Sequence, residues 1–218
     1  MSQLPVRVIK VGGSLLTFDE LASAFRNWLA TQPAARNVVL VGGGELADVV
    51  RAADARFELG EEVCHELCLL VLGVSARLFA AILRQHDANS VVRWFDSFVE
   101  LQSAIADFQE SQCSQNSQLW ICELGDFLHA DERTADREPL PHSWDVTSDS
   151  IALQLAIKLA ADELVLLKSN SLASELSVYD AAEAGFVDRH FPNLASSVRR
   201  IRYVNLRDAN WDERELHS

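Results

Sequence analysis

The chain has 218 residues, 49% hydrophobic and 23% charged, and this length and composition are typical of one globular domain with a buried core. Its 19 basic and 32 acidic side chains leave a formal net charge of −13. Because so negative a field repels phosphates, the composition disfavours binding to nucleic acid or to an anionic membrane surface. We therefore expect residues 1–218 to form a single domain with neither kind of partner.

The chain also lacks the usual sequence signals for secretion or membrane insertion. No apolar run approaches the roughly 20 residues of a membrane span, and the first residues lack signal-peptide regions, so we expect a cytoplasmic protein. The cysteines, Cys64, Cys68, Cys113 and Cys122, are then expected to stay reduced. Cys64, His65 and Cys68 share one apolar helix without a second ligand pair elsewhere, which favours buried thiols over a zinc site.

Short apolar runs alternate with amphipathic stretches along the chain. The apolar runs predict strands at 6–11, 37–41, 90–93, 119–122, 163–167 and 201–205. The amphipathic stretches predict helices at 19–30, 45–58, 62–85, 148–161 and 194–199. Polar stretches at 110–118 and 130–141 are predicted loops. Continuous apolar strands separated by helices predict an α/β fold, a three-layer αβα sandwich with a mostly parallel central sheet.

Two glycine clusters follow the first two predicted strands: Gly12-Gly13-Ser14 and Gly42-Gly43-Gly44. Ligands gather at the carboxyl ends of parallel strands, where glycine lets backbone N–H groups approach phosphate oxygens. The alternative interpretation is that these glycines only form tight turns. Neither cluster has the spacing of the dinucleotide fingerprint or of the P-loop, which disfavours a dehydrogenase and an ordinary P-loop enzyme.

The chain has only three lysines, and Lys10 and Lys168 each lie at the end of an apolar strand. Burying an ammonium group at the end of an apolar strand costs free energy unless an anion pairs with it, so we interpret both lysines as cations directed into one cleft. The alternative is that both side chains extend to solvent. Asp149 lies in the first turn of a predicted helix that Thr147 or Ser148 could cap. Its carboxylate either interacts with the positive end of the helix dipole or holds the two lysines together. Two cations, an acid and the backbone N–H groups of the glycine loops can together stabilise and align a phosphoryl group during its transfer.

These motifs together resemble the amino-acid kinase family. The resemblance is carried by VIKVGGSLL over 8–16, VVLVGGG over 38–44, and DVTSDSIALQLAIKLAADELVLLKS over 145–169. It implies the family's fold, transfer of the γ-phosphoryl group of ATP with Mg²⁺ to a small molecule, and association of the chain with further copies of itself.

The resemblance also implies a role for each matching residue. The residues implied to be catalytic are Lys10, Asp149 and Lys168. Those implied to bind the nucleotide and its phosphates are Gly12, Gly13, Ser14 and Ser169. Those implied to bind the acceptor are Gly42, Gly43, Gly44, His65, Thr147 and Ser148. No protein ligand to a metal is expected.

Residues 143–150, 167–169 and 185–188 resemble in particular family members that phosphorylate aminomethylfuran methyl phosphate in one-carbon cofactor biosynthesis. The expected acceptor is therefore a small phosphorylated or carboxylated metabolite. One stretch departs from the pattern, because residues 169–172 read Ser-Asn-Ser-Leu where larger members carry acids and a glycine that hold the nucleotide. A non-catalytic protein of the same fold, binding a metabolite or a partner, is the alternative function.

Overall fold

A computed structural model describes residues 4–87, 92–107, 119–122, 124–125, 127–128, 139–172 and 177–217. Its strands are β1 (Val6–Val11), β2 (Arg36–Val41), β3 (Val92–Phe95), β4 (Leu119–Cys122), β5 (Glu163–Lys168), β6 (Ile201–Asn205) and β7 (Glu213–Leu216). Its α-helices are α1 (Leu21–Thr31), α2 (Glu45–Phe57), α3 (Glu61–His86), α4 (Phe98–Asp107), α5 (Ser148–Lys158), α6 (Val178–Glu183) and α7 (Phe191–Ala195). A 3-10 turn over Gly13–Thr17 follows β1.

The strands form one sheet in the order β3-β4-β2-β1-β5-β6-β7. Neighbouring strands are parallel except for β7, which pairs antiparallel with β6 at one edge. All six residues of β1 and of β2 are buried, because helices cover both faces of the sheet centre. The predicted α/β class with a mostly parallel sheet is confirmed.

The alternation of side chains along β1 divides the interior into two cores. Val6 and Val8 face one core, to which α4, α5, α6 and α7 contribute, whereas Ile9 and Val11 face the other, which α1 covers. Helix α3 contributes to both cores. The sheet therefore lies between two helical layers, which confirms the predicted three-layer sandwich.

Several boundaries differ from the prediction. Helix α5 ends at Lys158 rather than at residue 161. The helix cannot continue to residue 161 because Ala160 has a left-handed φ of 47°. Helix α7 begins at Phe191 rather than at 194, with Pro192 in its first turn, a position that proline favours. The sequence analysis missed α4, α6 and β7. The predicted loop at 110–118 lies outside the described residues, as does most of the one at 130–141.

Helix α3 corrects the expectation that no apolar stretch reaches the length of a membrane span. It has 26 residues, its most apolar 18-residue window has a mean hydropathy of 2.1, and by length and composition alone it could cross a membrane. The charged residues Glu66 and Arg77 divide the apolar sequence into shorter runs, so the sequence analysis did not identify a stretch of this length. Within the fold, 44% of that window is buried, and residues such as Leu72 and Phe79 pack into the two cores.

Candidate active site

Strand register brings the two strand-end lysines to the same face of the sheet. In the β1 and β5 pair, Lys10 lies opposite Leu166, and Lys168 lies two residues farther along β5. Because side chains alternate between the two faces, Leu166 and Lys168 project to one face, which is also the face of Lys10. Helix α5 covers this face, and its first turn carries Asp149.

Asp149 joins the two lysines. Lys10 Nζ lies 2.8 Å from Asp149 Oδ1, and Lys168 Nζ lies 2.8 Å from Asp149 Oδ2. All three residues are buried, with exposed fractions of 5% for Lys10, 5% for Asp149 and 9% for Lys168. The cluster carries one net positive charge, which suits it to meet an anion. Both lysines are therefore buried against Asp149, and neither extends to solvent.

The electrostatics of the cluster follow from its burial. Burial alone would raise the pKa of Asp149, but the charges of Lys10 and Lys168 outweigh it and lower that pKa to about 2. Burial also lowers the pKa of Lys168, and the charge of Asp149 partly opposes this shift. Asp149 is therefore ionised throughout the neutral range and holds both ammonium groups by charge as well as by hydrogen bonds.

Lys168 has further partners that fix its position. Its Nζ donates a hydrogen bond of 2.6 Å to the carbonyl oxygen of Phe186 and lies 5.0 Å from the centre of the Phe186 ring. The segment between α6 and α7 thus reaches the end of β5. A lysine with these contacts cannot extend freely into solvent.

The two glycine loops contact each other directly at the ends of β1 and β2. A Cβ on Gly13 would lie 2.0 Å from the backbone nitrogen of Gly44, so no other residue fits there without movement. Gly44 also has a φ of 53°, a conformation that favours glycine. A Cβ on Gly42 would lie 2.9 Å from Ser148 Oγ and 3.3 Å from Lys10 Cε. Close loop packing beside Lys10 therefore accounts for these glycines.

A pair of hydroxyl groups lies at the ends of β1 and β5. Ser14 Oγ and Ser169 Oγ are 2.9 Å apart, with Ser14 exposed and Ser169 half-buried. Arg207, which follows β6, donates to the carbonyl oxygen of Ser14 over 3.1 Å, and its guanidinium lies over the Phe18 ring. This edge of the site therefore combines hydroxyl groups with a cation that the sequence analysis missed.

Beside the Gly42–Gly44 loop lies a cavity of about 230 Å³ between α2, α3 and α5. Leu69, Leu72, Val146 and Ile151 form its apolar wall, and His65 and Ser148 also line it. The His65 ring stacks on His142, with ring centres 3.7 Å apart. The cavity is smaller than the roughly 300–1,000 Å³ of pockets for drug-sized ligands, but its lining of apolar side chains with a few polar groups is typical of small-molecule sites.

Residue Trp144, which the sequence analysis did not single out, forms another part of the cavity wall. Its Nε1 donates to Asp54 over 2.8 Å, and the Arg51 guanidinium lies 4.7 Å from the ring centre. Two contacts to α2 thus hold this indole over the cavity. Asp48 and Glu61 place carboxylates at the same wall.

The model of the amino acid kinase family matches residues 5–171. The chain belongs to the amino acid kinase family. It is a phosphotransferase. The chain is 23% identical over 211 residues to the [5-(aminomethyl)furan-3-yl]methyl phosphate kinase of Methanocaldococcus jannaschii, an alignment that covers 91% of this chain and 87% of the relative.

Solved structures share the fold of this chain. The UMP kinase of Ureaplasma parvum superposes with a TM-score of 0.66 at 13% identity, covering all of this chain and 98% of its own. The aspartate kinase of Synechocystis superposes with a TM-score of 0.58 at 16% identity, covering 97% of this chain and 40% of its own.

In this kinase, the predicted site residues fall into three neighbouring groups. Lys10, Asp149 and Lys168 are in contact, and Ser14 meets Ser169 beside Gly12 and Gly13. Five of the residues predicted to bind the acceptor line the cavity: Gly43, Gly44, His65, Thr147 and Ser148. Gly42 lies behind them against Lys10.

The first turn of α5 depends on Asp188, a residue of the kinase for which the sequence analysis gave no role. Its carboxylate accepts six hydrogen bonds, from the backbone nitrogens of Thr147, Ser150, His190 and Phe191 and from the hydroxyl groups of Thr147 and Ser150. Thr147, rather than Ser148, accepts from the Asp149 nitrogen and caps the helix. Asp188 therefore fixes the helix end from which Asp149 projects.

The cysteines of α3 also lie along the cavity. Cys64 is buried and Cys68 half-buried, so the prediction of burial is correct for Cys64 and only partly correct for Cys68. Burial raises the pKa of both thiols, which favours the protonated form. Cys113 lies outside the described residues. Among those described, no group of three His, Cys, Asp or Glu residues could hold a metal ion.

Proposed function

We propose that this kinase transfers the γ-phosphoryl group of ATP to an oxygen of a small phosphorylated or carboxylated metabolite. The observation that carries the proposal is the buried cluster of Lys10, Asp149 and Lys168 beside two touching glycine loops and a small cavity. Phosphoryl transfer depends on charge neutralisation and alignment more than on covalent participation of the protein. Two ammonium groups held by one carboxylate supply both.

The charge state of the cluster limits the acceptor to an oxygen that is already anionic. Asp149, with a pKa of about 2 and an ammonium group against each oxygen, is a poor base for deprotonating an alcohol. The nearby carboxylate of Asp188 is engaged in six hydrogen bonds. A phosphomonoester, whose second pKa is near 6, or a carboxylate needs no such base.

In the proposed reaction, the acceptor oxygen forms a bond to the γ-phosphorus while the bond from that phosphorus to the β,γ-bridging oxygen breaks. ADP leaves with the bridging oxygen. Lys10 and Lys168 offset the negative charge on the transferring group, and Asp149 keeps their spacing fixed. Mg²⁺ enters with the phosphates of ATP as part of the substrate.

The nucleotide side of the site is proposed to include the hydroxyl groups of Ser14 and Ser169 and a second cavity at the first turn of α5. This second cavity, of about 410 Å³, reaches Asp149 and is lined by Thr147, Gly185 and Asp188. The two cavities share Trp144 and Thr147 at the start of α5, so molecules bound in them would lie close together beside the cluster. We place the reaction in the cytoplasm, where ATP and reduced thiols are available.

The first acceptor to test is [5-(aminomethyl)furan-3-yl]methyl phosphate, which the name of the Methanocaldococcus jannaschii relative identifies. Three features of the 230 Å³ cavity support it: Trp144 offers a flat surface for a ring, the carboxylates of Asp48 and Glu61 offer partners for an ammonium group, and the glycine loop adjoins the cationic cluster. The product would be the corresponding diphosphate, an intermediate suited to cofactor biosynthesis.

The experiment measures ADP release with ATP, Mg²⁺ and this phosphomonoester, and identifies the product by ³¹P NMR. The matched control acceptor is the same compound without its phosphate, an alcohol, which we expect to give no turnover. UMP, aspartate and other small acids complete the panel. Absence of ADP release with every acceptor, together with absence of ATP binding by calorimetry, would refute the kinase proposal and favour the non-catalytic alternative.

Variants link the activity to the cluster. We expect Lys10→Ala to lower kcat by roughly 100-fold or more, because the variant loses one of the two ammonium groups that offset the negative charge on the transferring phosphoryl group. Lys158→Ala, the third lysine, at the last turn of α5, should retain near-normal activity. Equal losses in both variants would show that the effect does not arise at the cluster.

A further inference from the structure

Helix α2 carries two residues that contact the indole of Trp144. Asp54 Oδ2 accepts a hydrogen bond of 2.8 Å from Trp144 Nε1, and the Arg51 guanidinium lies 4.7 Å from the centre of the same indole. Arg51 and Asp54 are three residues apart, so both project from one side of α2. Because the indole is only half-buried, these contacts rather than core packing fix its position.

The contact with Asp54 is the stronger of the two. Arg51 is exposed, and its guanidinium also lies 2.8 Å from the carboxylate of Asp48 on the same helix. Cation–π contacts at exposed sites are weak, whereas a hydrogen bond to a charged acceptor is strong and directional. The position of the indole therefore depends chiefly on Asp54.

The carboxylate of Asp54 is itself fixed at the junction of α2 and α3. Its Oδ1 accepts a hydrogen bond of 3.1 Å from the backbone nitrogen of Gly60, the residue that precedes α3. The hydrogen bonds from Trp144 and Gly60 lower the pKa of Asp54, so the carboxylate is ionised at neutral pH. One side chain thus links the last turn of α2, the start of α3 and Trp144.

Trp144 forms part of the wall of two cavities. It lines the 230 Å³ cavity and also the 410 Å³ cavity, so its indole lies at the boundary between them. The residue lies four positions before α5, in a turn that is closed by a hydrogen bond of 3.1 Å from the Val146 nitrogen to the Ser143 carbonyl oxygen. The cationic cluster is held by its own ion pairs. A displaced indole would therefore alter the cavity wall and leave the cluster in place.

We propose that Asp54 is a positioning residue of the acceptor site, which acts by holding Trp144 in the wall of the 230 Å³ cavity. The inference rests on the proposed function, because that function assigns this cavity to the acceptor. Asp54 is not among the described residues that line the cavity, so it acts on the acceptor through the indole. Loss of Asp54 should weaken acceptor binding more than it slows phosphoryl transfer.

Steady-state kinetics with ATP, Mg²⁺ and [5-(aminomethyl)furan-3-yl]methyl phosphate tests the proposal. We expect Asp54→Ala to raise the acceptor KM by about tenfold, because the charge-assisted hydrogen bond to the indole is lost. The same variant should change kcat by less than about threefold. A variant that is only less stable loses active enzyme, which lowers kcat and leaves KM unchanged.

The matched control is Asp96→Ala, which removes a contact of the same kind elsewhere in the fold. Asp96 accepts a hydrogen bond of 3.0 Å from Trp94 Nε1. It follows β3, which β4 separates from β2 and its glycine loop. Neither residue is among those that line the two cavities. This variant should leave the acceptor KM and kcat unchanged.

Trp144→Phe tests whether Asp54 acts through the indole, and it leaves the hydrogen bond between Asp54 and Gly60 in place. The variant keeps an aromatic ring but removes the N–H donor, so it should also raise the acceptor KM. Adding Asp54→Ala to it should raise KM no further. A further rise of about tenfold in the double variant would overturn the proposal, because Asp54 would then act independently of Trp144. An unchanged acceptor KM in Asp54→Ala would overturn it as well.

The ¹⁹F NMR spectrum of the chain labelled with 5-fluorotryptophan reports on Trp144 without any turnover. The five tryptophans give five signals, and the signal missing from Trp144→Phe belongs to Trp144. We expect Asp54→Ala to shift or broaden this signal, whereas Asp96→Ala should shift the signal of Trp94 instead. If wild type transfers no phosphate, the proposed function fails, and this spectrum decides the inference. A Trp144 signal that is the same in wild type and Asp54→Ala would overturn it.

Discussion

Asp149 remains ionised in the protein interior because two ammonium groups contact it, and this predicts a pH dependence of stability. Its pKa is about 2 in the fold against an ordinary 3.8. A carboxylate with a lowered pKa stabilises the fold above its unfolded pKa, and this contribution is lost as the pH falls toward the folded value. We expect Asp149→Asn to be less stable than wild type by roughly 3–5 kcal/mol at neutral pH.

Urea denaturation across a pH series measures this effect. The difference in free energy of unfolding between wild type and Asp149→Asn should narrow by about 2 kcal/mol between about pH 5 and about pH 2. Other carboxylates titrate in both proteins, so the difference isolates Asp149. A difference that stays constant over this range would show that the two lysines do not lower the pKa of Asp149.

For individual residues, the sequence identified the charged groups of the site but not the backbone contacts between its loops. Lys10 and Lys168 were identifiable because lysine is scarce in the chain and both end apolar strands, and Asp149 because it opens a helix. The contact between Gly13 and Gly44 could not be predicted, since it depends on how far two loops extend from neighbouring strands. The sequence analysis explained these glycines by phosphate binding or turn formation, whereas the structure adds loop packing.

Among the helices and strands, those with a long apolar run or a clear period could be predicted from the sequence, whereas short or polar ones could not. Strands β1, β2 and β5 are mostly apolar and were found nearly at their true limits. Strand β7 reads Glu-Arg-Glu-Leu and is a strand only because it pairs with the exposed edge of β6. Helix α6 has six residues, too few for a clear period, although Ser177 and Asp180 form a capping box that signals its start.

Helix α5 provides the prediction at this scale, because one carboxylate outside it holds its first turn. We expect Asp188→Asn to destabilise the fold by roughly 2–4 kcal/mol, since an amide cannot accept all six hydrogen bonds and removes the charge at two helix N-termini. It should also lower kcat, because Asp149 shifts with the helix end. Urea denaturation and the ADP assay measure the two effects.

The matched control is Asp180→Asn, which changes the exposed carboxylate of the α6 capping box. A capping change of this kind should cost about 1 kcal/mol and leave kcat unaltered. If Asp188→Asn behaved like this control in both measurements, Asp188 would be an ordinary cap and would not position the active site.

For the molecule as a whole, the shared sheet determines how the chain should unfold. The two cores lie on opposite faces of the same strands, with Val8 and Leu164 on one side and Ile9 and Val165 on the other. Loss of β1 or β5 would therefore expose both cores at once. This argues for one cooperative unit, and the single domain expected from the sequence stays a prediction.

We expect one unfolding transition for the full chain, and two buried tryptophans allow a test. Trp28 belongs to one core and Trp120 to the other, so tryptophan fluorescence reports on both, while far-UV circular dichroism reports on the helices. Phe25→Leu and Phe127→Leu, one in each core, should each lower the transition temperature by about 2–6 °C in both signals. If each variant shifted only one of two resolved transitions, the cores would be independent, and the site between β1, β5 and α5 would depend on only one of them.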